Sequence, residues 1–354
     1  MPRRYTALAV ILGVGVVFAA IVFIAHRRSE SWPLAAGTRQ YDVPAAVVSC
    51  PTNTFCATAH ARKVVIWNGR AITVHQFSLP SLHFGVNDPL SRDIPQMNSD
   101  FIQSVSCASP HFCVAVTFGG YAIEFGPGHW GPAIRLTSGK LEGLTAVSCP
   151  SSVFCLAGSS TGESYVFNGT SWQSGGSPDP AAAGPNGFSE ITAISCPQTE
   201  QCLVASALTD PMSGDYNGRV YGFSEGSWSS GSSPVNYAIT ALACSDSYDC
   251  VAGTADGKYL TMASGSWSDP FPVSMTNGQQ NIVRIVGASC VKNAGQCFLL
   301  DQNGEFYPVT DLSLTLHGTR AFTGLGSGLT SELSCSPGGT CFVGDGSSLY
   351  EAKP

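Results

Sequence analysis

Fourteen cysteines are the residues of this chain whose type and spacing could do chemistry, and they fall into seven close pairs. The pairs are Cys50/Cys56, Cys107/Cys113, Cys149/Cys155, Cys196/Cys202, Cys244/Cys250, Cys290/Cys297 and Cys335/Cys341. Paired cysteines serve three chemistries. Structural zinc sites use Cys-x2-4-Cys knuckles completed by a second pair or by histidines, whereas here each pair would have to borrow its partner from another repeat. A redox Cys-x-x-Cys motif is absent from the sequence. A local disulfide fits best. Residues facing each other across antiparallel strands hold their Cβ atoms about 4.5–5.5 Å apart, closer at non-hydrogen-bonded pairs, and a disulfide spans about 3.5–4.5 Å. Seven hairpin staples are therefore expected, and with them an oxidising, extracytoplasmic compartment.

Other reactive groupings are sparse. The chain has no Gly-x-Ser-x-Gly elbow, no His-Glu-x-x-His pair and no phosphate-binding loop. His60, His75, His83, His111, His129 and His317 follow no repeat spacing, and the segment Asp210 to Asp215 offers oxygen ligands without the calcium-loop pattern. No catalytic residue, metal or cofactor is predicted.

The elements that must position the cysteines follow from their period. The first cysteines of successive pairs lie 57, 42, 47, 48, 46 and 45 residues apart, and a period in the forties with strand-like content reads as a propeller blade. In the third copy, Thr145–Cys149 and Phe154–Gly158 read as strands A and B around the cysteine turn. Ser164–Asn168 reads as strand C, and Trp172 opens strand D. Turns at Gly119-Gly120, Asp256-Gly257, Asn303-Gly304 and Asp345-Gly346 join B to C, because such pairs accept positive φ. Aromatic residues recur on strand C (Tyr121, Tyr165, Tyr221, Tyr259, Phe306, Tyr350) and at the start of D (Trp130, Trp172, Trp228, Trp267), and are expected to pack between blades. The fold class is thus all-β: a seven-bladed propeller of four-stranded blades, one disulfide in each. The last copy ends after strand C, so residues 31–38, with Trp32, are expected to supply its fourth strand and close the ring.

The core Ser-Cys-Pro-x-x-x-Phe-Cys, seen as SCPTNTFC, SCASPHFC and SCPSSVFC and more loosely in the other copies, resembles the cysteine-paired β-propeller repeats of secreted and membrane-anchored bacterial proteins. The resemblance covers residues 31–354. It implies architecture and an envelope location, and carries over no catalytic residue. WD40 blades fit less well, since their Gly-His and Trp-Asp dipeptides do not recur.

Residues 6–25 form an uncharged apolar run, long enough to span a ~30 Å hydrocarbon core. A signal anchor is expected there, with residues 1–5 cytoplasmic and 26–30 as a juxtamembrane linker. The alternative is secretion after signal cleavage. Arg3, Arg4, Arg27 and Arg28 flank this run; without them 13 Lys+Arg face 24 Asp+Glu, a net of −11. So acidic a body repels phosphate backbones, which excludes nucleic acid as a partner. Charged residues make up only 12% of the chain, about half the usual share, which suits short strands and tight turns.

Long loops are expected on the face opposite the cysteine turns: residues 77–100, a B–C insertion at 206–218, 173–189 and 308–331. Loops on a rigid scaffold carry binding. His83, Asp88, Arg92 and Asp93 in the first, with Asp210, Asp215 and Tyr216 in the second, are the nominated ligand-binding residues. The expected function is a monomeric, non-enzymatic binding or scaffold module for a protein or envelope glycan. The alternatives are a propeller-type glycan hydrolase or lyase, and an assembly factor for a membrane complex.

Overall fold

A computed structural model describes residues 38–79, 82–83, 96–97, 101–138, 142–180, 189–209, 216–273, 275–276, 279–280, 282–292, 294–310, 313–314, 319–320 and 332–352. The anchor at 6–25, its flanks, and residues 31–37 of the expected closing strand lie outside these. Among the described residues no helix is long and apolar enough to cross a membrane.

The fold is a seven-bladed β-propeller in which every blade is an antiparallel four-stranded meander. Blade one comprises Val47–Thr52, Phe55–His60, Lys63–Trp67 and Ile72–Gln76; blade two, Ile102–Ser109, Phe112–Thr117, Tyr121–Phe125 and Trp130–Arg135; blade three, Leu144–Ser151, Phe154–Ser159, Ser164–Phe167 and Trp172–Gly176. Blade four is larger, with Ser189–Gln198, Gln201–Thr209, Tyr216–Ser224 and an outer strand split into Ser227–Trp228 and Ser232–Val235. Blades five (Ile239–Cys244, Cys250–Thr254, Lys258–Ala263) and six (Ile285–Val291, Gln296–Asp301, Glu305–Thr310) also have split outer strands, Ser266–Trp267 with Phe271–Pro272 and Ser313–Leu314 with Thr319–Arg320. Blade seven, Leu333–Cys335, Cys341–Gly344 and Leu349–Ala352, takes its fourth strand from the other end of the chain: Arg39–Tyr41 pairs with Glu351–Leu349.

Several expected loops are strand. The insertion at 206–218 continues strands B and C of blade four as a ladder out to Thr209↔Tyr216. Val204 to Ala207 form a continuous buried run and Ala207 pairs with Gly218, so the sheet runs on where the sequence reads as turn. Gln173–Gly176 is the outer strand of blade three, and Pro308–Thr310 belongs to strand C of blade six. Within 77–100, Leu82–His83 pairs with Gln96–Met97 as a small separate hairpin.

All seven disulfides are formed within their hairpins: Cys50–Cys56, Cys107–Cys113, Cys149–Cys155, Cys196–Cys202, Cys244–Cys250, Cys290–Cys297 and Cys335–Cys341. Where the ladder reaches them the partners are direct cross-strand neighbours, as in Cys107↔Cys113, Cys244↔Cys250 and Cys290↔Cys297. The extra residue in the turn of blade six leaves that pairing intact. In blade three the ladder is interrupted between Ser148 and Ser151, so Cys149 and Cys155 are joined by the disulfide across a bulge.

In six of the seven blades the residue before the first cysteine links that blade to the next. Its serine hydroxyl accepts the N–H of the next blade's first cysteine: Ser49 from Cys107 (2.9 Å), Ser106 from Cys149 (2.9 Å), Ser148 from Cys196 (3.1 Å), Ser195 from Cys244 (3.0 Å) and Ser289 from Cys335 (2.9 Å). Ser334 accepts from Cys50 at 2.8 Å, which joins the last blade to the first. Ala243 holds this position in blade five and has no hydroxyl to offer. The repeated Ser-Cys dipeptide is therefore a girdle as well as a staple.

Apolar packing fills the boundaries between blades. Phe55 meets Phe125, Phe112 meets Phe167, and Phe154 meets Phe223, with ring centroids 6.3, 5.8 and 6.3 Å apart. The outer-strand tryptophans close the same boundaries: the Trp172 indole donates to Glu124 Oε1 (3.1 Å) and that of Trp228 to the Gly175 carbonyl (2.8 Å).

Candidate functional site

Two concave regions stand out, the central channel and a cleft between blades four and five. The innermost strands of all seven blades line the channel, which encloses about 290 Å³. Its wall is chiefly hydroxyl and small apolar groups, and among the described residues lining it Glu332 alone is ionisable with a free side chain. Three residues before the first cysteine the other blades carry Val47, Ser104, Ala146, Ala193, Ala241 and Gly287; blade seven carries Glu332. Small side chains on five of these blades, at Ser104, Ala146, Ala193, Ala241 and Gly287, leave the room into which one carboxyl reaches, while Val47 packs into an apolar core cluster. It accepts from the Ser104 hydroxyl of blade two and the Val48 N–H of blade one. Burial pushes its pKa up to about 8 against the pull of those two donors, so it is largely neutral near pH 7. Glu332 thus straps the last blade to the first two. At the start of strand A in blade four, burial also raises Glu190, with Arg284 attracting its charge in the opposite sense. Glu190 keeps solvent contact, so this pair is a surface feature of the mouth.

The cleft between blades four and five lies toward the face that carries the disulfide turns. It is lined by Gln201, Leu203, Gly222 and Ser229 of blade four and by Ser247 and Tyr248 in the cysteine turn of blade five, and it encloses about 460 Å³. A second hollow of about 580 Å³ shares Leu203, Gly222 and Ser229 and reaches Met262 and Trp267 on the outer strands of blade five. The cause is readable in the repeat. Gln201 stands where blades one to three have Phe55, Phe112 and Phe154, and the strand-C phenylalanine it would meet is Met262. One residue earlier on strand C, Ile66, Glu124, Val166, Thr261, Pro308 and Glu351 occupy the place that Gly222 leaves without a side chain. A Cβ at Gly222 would meet only the Ser229 hydroxyl closely, at 2.8 Å. Ser247 donates to Gln201 Oε1 at 2.5 Å and holds the glutamine aside. Asp246 accepts the N–H groups of Tyr248 and Asp249, both at 2.8 Å, fixing the turn whose tip is Tyr248, 65% exposed.

The cysteines frame these hollows and take no chemical part in them. Cys202 touches the wall of the cleft, and Cys244 and Cys290 that of the channel. Cys155 and Cys297 line neither. Both are buried on strand B and face the apolar boundaries between blades, Cys155 beside Val114 and Phe167, Cys297 beside Val251 and Val309. Every cysteine among the described residues is oxidised, so none offers a thiolate to a metal or a substrate.

The ligand-binding residues nominated from sequence are expected on the opposite face. Asp88, Arg92, Asp93, Asp210 and Asp215 lie outside the described residues. His83 and Tyr216 are described through their backbone, His83 paired with Gln96 and Tyr216 with Thr209, on two different hairpins. Nearby on that face the strand-C tyrosines tie down connecting segments: Tyr165 to Glu142 (2.8 Å), and Tyr221 to Asp179 (3.1 Å), which also pairs with Arg219 (3.0 Å). Burial and Glu142 push the Tyr165 hydroxyl upward. Among the described residues no three His, Cys, Asp or Glu side chains gather as a metal site.

No protein-family model matches this sequence, and neither does any curated protein. Solved propellers match its fold. The structure of U3-55K superposes with a TM-score of 0.66 at 12% identity, covering 91% of this chain and 100% of that one. The WD40 β-propeller domain of Doa1 gives 0.60 at 12% identity over 90% and 95%. A structure of YCF48 bound to D1 peptide gives 0.59 at 11% identity over 90% and 98%. At such identities the likeness is one of fold.

Proposed function

We propose that this protein is a non-enzymatic recognition module whose disulfide-stapled ring presents a surface cleft to a protein partner. The observation that carries this is the blade four–five cleft, where a repeat that packs phenylalanine at three other boundaries carries Gln201 and Gly222 and leaves an open, partly apolar hollow on a rigid frame. The channel supports the same reading, because the one free carboxyl among the described residues of its wall, that of Glu332, is spent on bonds to Ser104 and Val48 within the ring. A propeller of this architecture holds a peptide in the YCF48 structure with D1 peptide. In this proposal residues 6–25 anchor the ring to a membrane from its oxidising side, and the partner is another envelope protein.

The test is site-specific photo-crosslinking in the native envelope from position 248, with position 153 on the cysteine turn of blade three, where Val153 is 58% exposed, as the control. A partner crosslinked from 248 alone, which then binds the purified oxidised ring saturably, supports recognition. The competing glycan-hydrolase reading needs the channel acid. Turnover of an envelope glycan by the purified ring, abolished by Glu332→Gln, would overturn the proposal.

A further inference from the structure

The repeat also indicates what enters the cleft. At three boundaries the chain fills the equivalent space itself with a phenylalanine from the cysteine turn, seated against an aromatic ring of the next blade. The other four blades carry Gln201, Asp249, Gln296 and Thr340 in its place, and between blades four and five Gly222 leaves the socket open, with Leu203 beneath and Met262 beyond. Large aromatic side chains bury the most area per residue and anchor protein interfaces in such sockets.

The rim adds a second, independent requirement. Glu200 and Asp249 adjoin the two cysteine turns, Glu225 sits in the C–D turn of blade four, and Asp269 lines the outer hollow. A hydrogen bond from Glu225 N–H to the Glu200 carbonyl (3.2 Å) holds two of these acids close together. Between residues 197 and 273 the cations are Arg219 and Lys258, and both are paired toward the other face, with Asp179 at 3.0 Å and Asp256 at 2.8 Å. The socket is apolar at its base and acidic at its edge.

We propose that the blade four–five cleft receives one aromatic side chain of a partner protein, flanked in its sequence by lysine or arginine. The aromatic ring takes the place of the missing phenylalanine and the flanking cations meet the acidic turns. This rests on the recognition reading above and names the chemistry of its partner. A neutral glycan would gain from the serine-rich walls but not from the acidic rim.

The probe is a short peptide, Lys-Lys-Gly-Phe-Gly-Lys-Lys with a 4-fluoro label on the phenylalanine, titrated with the oxidised ring and followed by fluorine NMR. Saturable binding is expected, weakened at least tenfold by Ala in place of Phe, by Glu in place of Lys, or by the variant Gln201→Phe/Gly222→Val, which rebuilds the boundary of blade three. Raising the salt concentration should weaken it too. The variant's seven disulfides, mapped by mass, and its melting temperature report that it is folded. Gly222→Ala with Gln201 retained is a milder plug should the double variant melt early. Binding that survives both plugs, or that is equal for the Phe and Ala peptides, overturns the proposal, as does saturation by chitotetraose without saturation by the peptide. A plugged ring that still binds the crosslinked partner sinks this inference alone; a wild-type ring with no partner sinks the recognition reading itself.

Discussion

At the scale of single residues, the repeat makes every departure from its pattern informative. Glu332 replaces a small residue and becomes a strap across the channel; Ala243 replaces a serine and leaves the girdle one bond short. The strap has a pH signature whose direction follows from its raised pKa. Below about pH 4.5 both folded and unfolded chains hold the proton. Between there and about 8 the unfolded chain releases it while the folded ring keeps it, so stability contributed by this group falls as pH rises and is lost above 8. Because Glu332 retains some surface open to the channel, screening limits the loss to on the order of 2 kcal/mol. Glu332→Gln keeps an oxygen for Ser104 and Val48 and removes the titration. Urea denaturation of both proteins from pH 5 to 8.5 should show the wild type losing ground to the variant across that range. Parallel curves would mean that the carboxyl is already ionised and solvated.

At the scale of the hairpin, one position does the same work in blades two, three, five and six. Four residues after the second cysteine, Thr117, Ser159, Thr254 and Asp301 accept the N–H groups that close the B–C turn, at 3.2, 3.1, 2.9 and 2.8 Å for Tyr121, Glu163, Lys258 and Glu305. Burial raises the Asp301 pKa while these donors oppose it. In blade four the equivalent Ser206 is buried with no hydrogen-bond partner in the described structure, because the strands continue past it and the turn it would cap is displaced. Each staple closes a loop of a few residues, so its loss should cost about 2 kcal/mol by chain entropy. For Cys244→Ala/Cys250→Ala that is the expected drop in denaturation free energy. The Asp246 turn should keep Tyr248 in place through its two backbone bonds. Global unfolding of the pair variant would show the disulfide to be required for the blade itself. This scale also explains what could be read in advance. Cysteine spacing and Gly-containing turns are local signals, and blade number and staple pairing followed from them. The split outer strand around Ser229–Gly231 and the long hairpin through Thr209 and Tyr216 did not, because their Ser, Gly and Asp content favours turns until tertiary pairing overrides it. The cleft was visible in principle: Gln201 against Phe154, and Gly222 against Val166, appear once the copies are compared with each other and not only with their consensus.

At the scale of the whole molecule, the ring depends on one seam. Blade seven borrows Arg39–Tyr41, whose partners at Glu351–Leu349 lie more than 300 residues away in sequence. Every other blade is a local meander. The seam is reinforced from several directions. Tyr41 hydrogen-bonds Glu351 and packs on Trp67 at 4.9 Å, Trp67 reaches Phe342 at 5.8 Å, and Gly346 N–H donates to the Ala45 carbonyl at 2.5 Å. Ser334 and Glu332 add bonds to Cys50 and Val48 at the inner end. Closure entropy grows only slowly with loop length, but such non-local pairing is slow to form, so the seam should be the last part of the ring to assemble. Without it, Leu349–Ala352 becomes an open edge that invites pairing between molecules. Replacing Arg39–Tyr41 by Gly-Ser-Gly removes three ladder pairs and the Tyr41–Trp67 contact while preserving chain length, and should destabilise the ring by roughly 2–4 kcal/mol. Sedimentation should reveal concentration-dependent association, which Tyr41→Ala, retaining the backbone ladder, should largely avoid while melting at a lower temperature than the wild type. If the replaced chain melts with the wild type and stays monomeric, blade seven is complete without its borrowed strand, and the ring is held by the girdle and the channel strap alone.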